Sequence, residues 1–468
     1  MRKILNAEQI KNLYIPKTNL IMLLQSILKE IRPTEMERKR VEEFVNEILR
    51  VSKTITGLDS LICGSIGKFT WLRGDHDIDL FILFPKTVSR EDLERNGLSY
   101  GKKIVSALKG NYVIKYAEHP YVHARISGFD IDIVPCYRIK KGEQIKSAVD
   151  RSPLHLEYIL EKLNPELKDE VRLLKQFCKG IGVYGSDAKN LGFSGYICEL
   201  LVIKHGTFID ILKKASKWVA PQIIKLEAGK LKSSENALIV IDPTDPKRNA
   251  AANLSTENFV RFIKASKRFL EKPSRGYFFP AKPRELNGKE IRALRKRETK
   301  FLAIRFKKPD IIDDILYLQL RRAVKRLCSL LRYNGFVPLR SYELVSKDVL
   351  LVFELEVWCL PHIKKMIGPP IFSKRHSKEF LMKYKDHRPF IEGARWVVEI
   401  ERKNKTAFDL LRKFIGRRVE HLESDGIPKN ISKEFSKAGL LEHEKFWRFI
   451  KGNRDFSASL RKKYFEEL

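Results

Sequence analysis

The chain has 468 residues, which is enough for roughly three or four domains of ordinary size. A hydrophobic fraction of 43% with 10% aromatic residues supplies buried cores and excludes a wholly disordered protein. Lysine and arginine number 91 against 58 acidic residues, for a formal charge of +33. Such an excess indicates a polyanionic partner, of which nucleic acid is the most common.

The positive charge is unevenly distributed along the chain. Residues 1–150 sum to +6, and the rest of the chain carries +27. This asymmetry predicts a chemical module followed by a basic platform that holds a polyanion. The plainer interpretation is that the charge serves general solubility.

The cysteine pattern and the hydropathy of the chain indicate the cellular compartment of the protein. The six cysteines include no Cys-x-x-Cys pair, which disfavours both stabilising disulfide bonds and a structural zinc site. No apolar run approaches the roughly 18 residues that span a bilayer. The N-terminal residues lack the apolar core and small-residue cleavage site of a signal peptide. We therefore expect a cytoplasmic protein without a membrane partner.

The first predicted elements follow in chain order. Apolar residues at helical spacing predict a helix over residues 35–52, ended by a Thr-Gly break. After a short apolar run and a brief helix-compatible stretch, residues 79–84 read as a strand buried on both faces. Residues 121–126 and 129–134, separated by Ser-Gly, predict a β-hairpin that Pro135 closes.

The later part of the chain changes character. Residues 155–230 show helical patterns with few strand signals, and Pro273 and Pro280 indicate a boundary near residue 275. A helical stripe ends at Asn334-Gly335, and residues 342–358 then read as strands; the C-terminal hundred residues alternate short helical patterns with basic clusters. The stripe consists of Leu316, Leu320, Val324, Leu327 and Leu331.

Two aspartates at the start of a predicted strand indicate a cation site. Asp77 and Asp79 stand two residues apart, so in a strand both project from one face while Ile78 and Leu80 face the other. Adjacent carboxylates repel unless a cation lies between them, and hard oxygen ligands select Mg²⁺ or Mn²⁺ over zinc.

A third carboxylate and a Gly-Ser turn extend this pattern. Asp132 lies in a second alternating run about fifty residues later, and three carboxylates on neighbouring strands are what two-metal phosphoryl transfer requires. Gly64 lets the backbone approach phosphate oxygens closely, and Ser65 offers them a hydroxyl. Taken singly, an Asp-x-Asp is usually a solvated turn and a Gly-Ser a plain loop; their order and spacing together favour catalysis.

These residues carry a resemblance to a known family. Residues 64–81 read Gly-Ser-x-x-x-x-Thr-Trp-Leu-x-Gly-Asp-x-Asp-Ile-Asp-Leu-Phe, which is similar to class I, archaeal-type CCA-adding enzymes (CCA tRNA nucleotidyltransferases) of the DNA polymerase β superfamily. The likeness runs through about residues 60–255, and more loosely to the Arg388-Pro389-Phe390 region. Its further stretches are residues 117–123, 130–137, 146–153, 170–175, 192–196 and 242–254.

The resemblance implies an α+β multidomain fold. Its parts are a polymerase β-like nucleotidyltransferase head of mixed sheet and helices (1–155), a mainly helical neck for base recognition (156–275), and an α/β body and tail. The body would comprise 276–330 with 411–468 and bind RNA, and the tail, 331–410, would bind tRNA. The implied activity is template-independent addition of C, C and A to the tRNA 3′ end from CTP and ATP, with release of pyrophosphate. Two Mg²⁺ ions, with Mn²⁺ as a substitute, and a homodimer are implied as well.

The resemblance also implies roles for individual residues. Asp77, Asp79 and Asp132 would be the catalytic metal ligands, and Arg248 would present donors to the Watson–Crick edge of the incoming base. The remaining nucleotide-binding candidates are Gly64, Ser65, Lys68, Lys175 and Tyr184 for the triphosphate and sugar, with His155 nearby and His119 as a further active-site residue.

Two positions depart from the family pattern, and several candidates have plainer interpretations. Lys68 stands where arginine is more usual in the family, so the point charge of an ammonium group replaces the two parallel donors of a guanidinium. Some members carry glutamate at the position of Asp77. The plainer interpretations are that Lys175 and Arg172 are solvated, that His155 caps or packs, that Tyr184 is a core aromatic, and that Arg248 pairs with Asp242 or Asp245.

Two alternatives to CCA addition stay open on the sequence. A poly(A) polymerase or other terminal transferase shares the Gly-Ser and the three carboxylates but would not insert C. A non-catalytic RNA-binding protein on the same scaffold is the second, although degenerate scaffolds usually lose an acid and here all three are present.

Overall fold

The computed structural model describes residues 17–116, 118–227 and 235–465. The N-terminal residues on which the signal-peptide expectation rests, and Ala117, lie outside them. The chain forms two compact units, residues 1–281 and residues 282–467. None of the described helices is long and apolar enough to cross a membrane.

The first unit opens with a mixed sheet flanked by helices. Within the described residues its strands take the order β1-β2-β5-β4-β3, with β2 and β5 parallel and the other neighbours antiparallel. The strands are β1 Ser60–Ile62, β2 Asp77–Phe84, β3 Asn111–Tyr116, β4 Pro120–Ile126 and β5 Phe129–Tyr137; the helices are α1 Lys17–Ile31, α2 Glu35–Thr56, α3 Gly64–Gly67 and α4 Arg90–Ala107.

The predicted helix and strands of this region are confirmed with small shifts. Helix α2 extends the predicted 35–52 to Thr56 and begins at a capping box in which Thr34 and Glu37 exchange hydrogen bonds. The expectation that Pro135 closes the hairpin is wrong, because β5 continues to Tyr137. The pairing of β5 with β4 ends at Ile133, and Pro135 lies opposite Ile82 of the parallel neighbour, so its missing N–H interrupts no bond to β4.

The rest of the first unit is mainly helical, as predicted, with a small sheet in the order β6-β7-β8. Its core surrounds the fully buried ring of Phe177, which contacts the rings of Phe208, Phe262 and Phe269. The elements are α5 Arg151–Lys162, α6 Pro165–Gly180, α7 Gly195–His205, α8 Phe208–Ala215, β6 Gln222–Ile224, β7 Leu238–Asp242, β8 Asp245–Asn249 and α9 Thr256–Glu271.

The second unit contains two antiparallel sheets. The strand order is β10-β11-β9-β15 in one and β12-β14-β13 in the other. The predicted stripe lies on α11, where all five of its residues are buried. The elements are α10 Gly288–Arg295, β9 Lys300–Lys307, α11 Asp313–Tyr333, β10 Val337–Val345, β11 Asp348–Val357, β12 Ile363–Pro370, α12 Lys374–Lys383, β13 Phe390–Glu392, β14 Arg395–Glu401, α13 Ala407–Ile415, α14 Val419–Ser424, α15 Lys429–Phe435, β15 Gly439–Leu441, α16 His443–Lys451 and α17 Arg454–Phe465.

Candidate active site

The predicted carboxylates meet on the parallel pair of strands. Strand β2 begins at Asp77, and its alternation buries Ile78 and Leu80 while Asp77 and Asp79 stay on the other face. In the β2–β5 register, Asp79 lies opposite Asp132. Asp77 lies opposite Asp130, a fourth carboxylate that the sequence reasoning passed over, although it precedes Asp132 by the same two-residue spacing.

The electrostatics of this face fit a divalent cation. Burial, followed by the charges of Asp132 and Asp77, raises the pKa of Asp79 to about 6. Burial and its acidic neighbours, Asp75, Asp130 and Asp132, also raise the pKa of Asp77. The protein thus concentrates negative charge that hard cations compensate, and all the donors are carboxylate oxygens.

The carboxylates are not already gathered around a metal position. No group of three His, Cys, Asp or Glu side chains in the described parts of the chain is arranged to hold a metal ion. Asp132 Oδ1 instead accepts a hydrogen bond from His123 Nδ1 at 2.6 Å. His123 lies opposite Asp132 in the β4–β5 register, so the sheet itself places the imidazole there.

The Gly-Ser turn abuts the carboxylates. Gly64 follows β1, starts the short α3 and has a φ of 61°. A Cβ at this position would overlap the side-chain carboxylate of Asp79, so both the backbone conformation and the close approach require glycine. Ser65 comes next, and its carbonyl accepts a hydrogen bond from the Thr70 N–H at 2.9 Å.

The two lysine candidates share one buried carboxylate. Lys68 Nζ lies 2.9 Å from Glu199 Oε2, and Lys175 Nζ lies 3.0 Å from Glu199 Oε1. The Thr70 hydroxyl donates to Glu199 Oε1 at 2.7 Å. All four residues are buried, so the interpretation of Lys175 as a solvated charge is wrong. Arg172 is buried as well; its guanidinium donates to the carbonyls of Trp71 and Phe69.

The charges of this cluster shift the pKa values of its members. Burial alone would raise the pKa of Glu199, but the ammonium groups of Lys175 and Lys68 outweigh it and lower the value to about 2. Burial lowers the pKa of Lys175, and Glu199 opposes that effect. Glu199 is therefore a carboxylate over the whole physiological range.

Tyr184 stands beside the lysine cluster. A Cβ at Gly195, the first residue of α7, would lie 3.2 Å from the Tyr184 hydroxyl and 3.3 Å from Lys175 Nζ. Tyr184 and Lys175 therefore both lie beside this glycine, and Tyr184 also packs against the hydrophobic core, so its nucleotide-binding role stays a prediction. The Tyr184 ring also contacts Lys179 Nζ at 5.4 Å from its centroid.

A second buried carboxylate gathers the base-recognition candidates. Asp242 accepts hydrogen bonds from His155 Nε2 at 3.0 Å, from the Tyr196 hydroxyl at 3.0 Å and from Arg248 Nη1 at 2.7 Å. The rings of His155 and Tyr196 stack with centroids 3.8 Å apart. The alternative in which Arg248 pairs with Asp242 is thus observed, with about a third of the arginine side chain still exposed.

Hydrogen bonding keeps this second carboxylate ionised. Burial would raise the pKa of Asp242, but the hydrogen bonds from His155 and from Thr244 lower it well below its usual range. Burial lowers the pKa of His155, although Asp242 opposes the shift, which favours the neutral ring. His155 and Arg248 thus share one anionic acceptor.

His119 is not brought to the carboxylates. Its Nε2 donates to the carbonyl of Pro135 at 2.8 Å, and it lines a cavity of about 290 Å³ with Tyr137 and Lys146. Pro135 lies three residues beyond Asp132, which is about 10 Å along the strand. Its expected role in the active site stays a prediction.

Glu199 is a second residue, besides Asp130, that was missed from the sequence. It lies in the otherwise apolar run Ile-Cys-Glu-Leu-Leu-Val-Ile of α7, and a lone acid in such a run is the available signal. A buried carboxylate needs charged or hydrogen-bonding partners, so the run itself predicts a cation nearby. Which cations lie there depends on contacts with residues 24 and 131 positions away in the sequence.

A mixed sheet with paired strand carboxylates beside a Gly-Ser turn defines a nucleotidyltransferase of the polymerase β type. Comparison with family models agrees: the model described as "Nucleotidyltransferase domain" matches residues 39–155. "tRNA nucleotidyltransferase, second domain" matches 169–279, and "CCA-adding enzyme, C-terminal domain" matches 297–439.

Curated relatives extend this match over most of the chain. A CCA-adding enzyme of Archaeoglobus fulgidus is 39% identical over 376 residues, covering 80% of this chain and 84% of the relative. CCA-adding enzymes of Methanocaldococcus jannaschii and Methanosarcina acetivorans are 37% and 39% identical, covering 91% and 82% of this chain and 97% and 87% of their own. The chain belongs to the family of CCA-adding enzymes.

Proposed function

We propose that the protein adds C, C and A in sequence to the 3′ end of tRNA, taking the nucleotides from CTP and ATP without a template. In each addition the terminal 3′ hydroxyl oxygen bonds to the α-phosphorus of the triphosphate. The bond from that phosphorus to the pyrophosphate oxygen breaks, and the hydroxyl proton is lost to solvent or base. The observation that carries the proposal is the register of Asp79 against Asp132 beside Asp77.

Two divalent cations, Mg²⁺ with Mn²⁺ as a substitute, are part of the proposal. Asp77, Asp79 and Asp132 would hold them. When bound, such cations stabilise charge on the attacking hydroxyl oxygen and on the leaving pyrophosphate. The raised pKa of Asp79 supports the assignment, because a carboxylate that is costly to ionise alone gains most from a cation.

The other candidates take positions around this centre. Gly64 lets the backbone approach, and Ser65 offers its hydroxyl to phosphate oxygens. Lys68 and Lys175 supply positive charge to the triphosphate, and Tyr184 supplies a hydroxyl. Arg248 keeps one guanidinium nitrogen hydrogen-bonded to Asp242 and directs the rest of its guanidinium to the base, with His155 beside it.

The remaining parts of the proposal concern the whole protein. Residues 1–155 form the head and 156–275 the neck; 276–330 with 411–468 form the body and 331–410 the tail, the last two binding tRNA. The protein works in the cytoplasm as a homodimer. These assignments follow from the family, and the basic charge of residues 151–468 supports the RNA-binding part.

Product lengths test the proposal directly. The protein is incubated with tRNA lacking CCA, Mg²⁺ and labelled CTP or ATP, and products are separated on a sequencing gel. CTP with ATP should give three added nucleotides. A long ladder with ATP alone would show a poly(A) polymerase instead, and no extension under any condition would favour a non-catalytic RNA-binding protein.

A further inference from the structure

Glu199 is a fully buried acid on an apolar helix. Its side chain is 1% exposed, and its neighbours Ile197, Cys198, Leu200 and Leu201 are all buried. Transferring a carboxylate into such surroundings is unfavourable unless charged donors surround it. The residue therefore needs its partners to be fixed.

Three donors from two other segments converge on this carboxylate. Oε1 accepts from the Thr70 hydroxyl at 2.7 Å and from Lys175 Nζ at 3.0 Å, and Oε2 accepts from Lys68 Nζ at 2.9 Å. Thr70 also contacts Lys175 Nζ through its hydroxyl at 2.8 Å. Glu199 thereby ties the segment after the Gly-Ser turn to helix α6.

The charges of this cluster do not balance. One carboxylate faces two ammonium groups, which leaves a surplus of one positive charge in a buried place. A purely structural ion pair would be neutral with a single lysine, whereas a second lysine adds an unfavourable like charge unless an anion arrives. The Asp79 carboxylate abuts α3 as well, but in the proposed function the cations take up its charge, so the surplus of the cluster points to an anionic ligand.

The position of Lys68 identifies the ligand. Its Nζ lies 5.0 Å from the centroid of the Tyr196 ring, and the Tyr196 hydroxyl bonds Asp242, the partner of Arg248. On its other side, Lys68 ends the short helix α3, whose first residue, Gly64, abuts the Asp79 carboxylate. The cluster therefore stands between the carboxylate face and the base-recognition residues, where a nucleotide has its phosphates.

We propose that Glu199 is a positioning residue for the incoming nucleotide: it holds the ammonium groups of Lys68 and Lys175 in place, and their surplus charge receives the triphosphate. The role rests on the proposed function. Glu199 itself does not touch the nucleotide, because a carboxylate repels phosphate. Since CTP and ATP share the triphosphate, Glu199 serves both equally and does not discriminate between the bases.

Two variants separate positioning from bulk charge. Glu199→Gln removes the anion and leaves two lysines facing each other. Lys175→Met with Glu199→Gln removes one cation and one anion, so the cluster keeps its surplus of one positive charge while Lys68 loses its anchor. It is compared with Lys175→Met alone, so that the difference between the two is the effect of Glu199 on Lys68. The double variant also avoids an unpaired buried lysine at 175 and protects against a failure to fold.

The readouts are the KM for CTP and ATP, kcat, the affinity for tRNA and the melting temperature. Both variants should raise the KM for CTP and for ATP by the same factor, about 10- to 100-fold, as expected for the loss of a charged hydrogen bond. The value of kcat should change much less, and the affinity for tRNA should stay as in the wild type. Glu199→Asp should recover part of the loss.

A matched control comes from the other unit. Glu354 is also fully buried and also accepts from three donors, Arg297, Thr299 and Tyr464. Glu354→Gln should lower the melting temperature without changing the KM for either nucleotide.

Two outcomes would overturn the positioning role. One is a KM in the folded double variant equal to that of Lys175→Met alone; the other is a loss in Glu199→Gln confined to kcat and melting temperature in parallel. If the wild-type protein fails to add CCA, the proposed function fails instead. The KM of whichever nucleotide it does use still decides the role of Glu199.

Discussion

At the scale of single residues, Arg248 has two interpretations, a structural bridge to Asp242 and a donor to the incoming base, and the structure is compatible with both. Its Nη1 bonds Asp242 at 2.7 Å, which supports a structural bridge, while part of the side chain stays exposed. CTP and ATP each present an amino donor beside a ring-nitrogen acceptor, and the guanidinium donates only to the acceptor. A neighbouring acceptor must therefore take the amino hydrogens.

Replacing Arg248 by Ala should raise the KM for both nucleotides, or lower kcat/KM, while metal binding stays intact. One charged hydrogen bond to the base is lost, so the effect should be about 1.5–3 kcal/mol. Steady-state kinetics measured well below the melting transition give the result. If the variant melts early yet keeps wild-type kinetics for both nucleotides, Arg248 is only a bridge to Asp242.

The choice of the third metal ligand is a residue-scale prediction with a built-in control. Asp130 and Asp132 are two residues apart on β5 and lie opposite Asp77 and Asp79. Asp132→Ala should lower kcat by several orders of magnitude, because each metal contributes several kcal/mol of charge stabilisation.

Asp130→Ala is the matched substitution and should keep most of the turnover, and neither change should alter the affinity for tRNA. Single-turnover rates compare the two. The assignment is wrong if the effects are reversed, or if Asp132→Ala turns over at a rate near that of the wild type.

At the scale of elements, the strand–turn–helix around Gly64 fixes the geometry of the centre. Gly64 has a positive φ, and a Cβ there would overlap the carboxylate of Asp79. Gly64→Ala should displace Asp79 and lower kcat at least about 100-fold, since a misplacement of about 1 Å can cost that much.

Gly142, with a positive φ and no atom within 4 Å of where a Cβ would lie, provides the control for backbone strain alone. Gly142→Ala should lower the melting temperature slightly and leave kcat unchanged. Equal kcat values for the two variants would show that the close approach at Gly64 does not matter.

The elements show what local sequence can predict. The helix at 35–52 and the strand at 79–84 follow from apolar periodicity, and the structure confirms both. The end of β5 was misplaced because a proline interrupts only the bonds its own N–H would make. Whether such a bond exists at Pro135 depends on where the neighbouring strand stops, which is a tertiary property.

The candidate site likewise contains residues that the local sequence predicts and contacts that it does not. Asp77 and Asp79 were predictable because two-residue spacing in a strand fixes a shared face, and Gly64 because it precedes them in a turn. Lys68 and Lys175 were named from the family resemblance, but their joining through Glu199 was not predictable, since it links α7 to residues more than twenty and more than a hundred positions earlier. The burial of Lys175 likewise depends on packing that the helical pattern of α6 does not contain.

At the scale of the whole molecule, the charge predicts how RNA is held. The excess lies in the part after residue 150, which carries +27. Counterion release should make tRNA affinity fall steeply with salt, by roughly 10³- to 10⁵-fold between about 50 and 200 mM for six to ten phosphate contacts.

The KM for CTP should change far less over the same range, because one triphosphate releases few ions. Filter binding and initial rates measured on the same samples test both. Equal salt dependence of the two quantities would contradict a separate RNA-holding platform.

Sequential addition of C, C and A that then stops is the central claim, and the mass of the reaction product tests it most directly. The full chain is incubated with tRNA lacking CCA and with all four nucleoside triphosphates at equal concentration. Mass spectrometry of the intact RNA should show increments of C, C and A in that order, and then no further growth. A heterogeneous tail, an incorporated U or G, or growth beyond the third nucleotide would contradict the account.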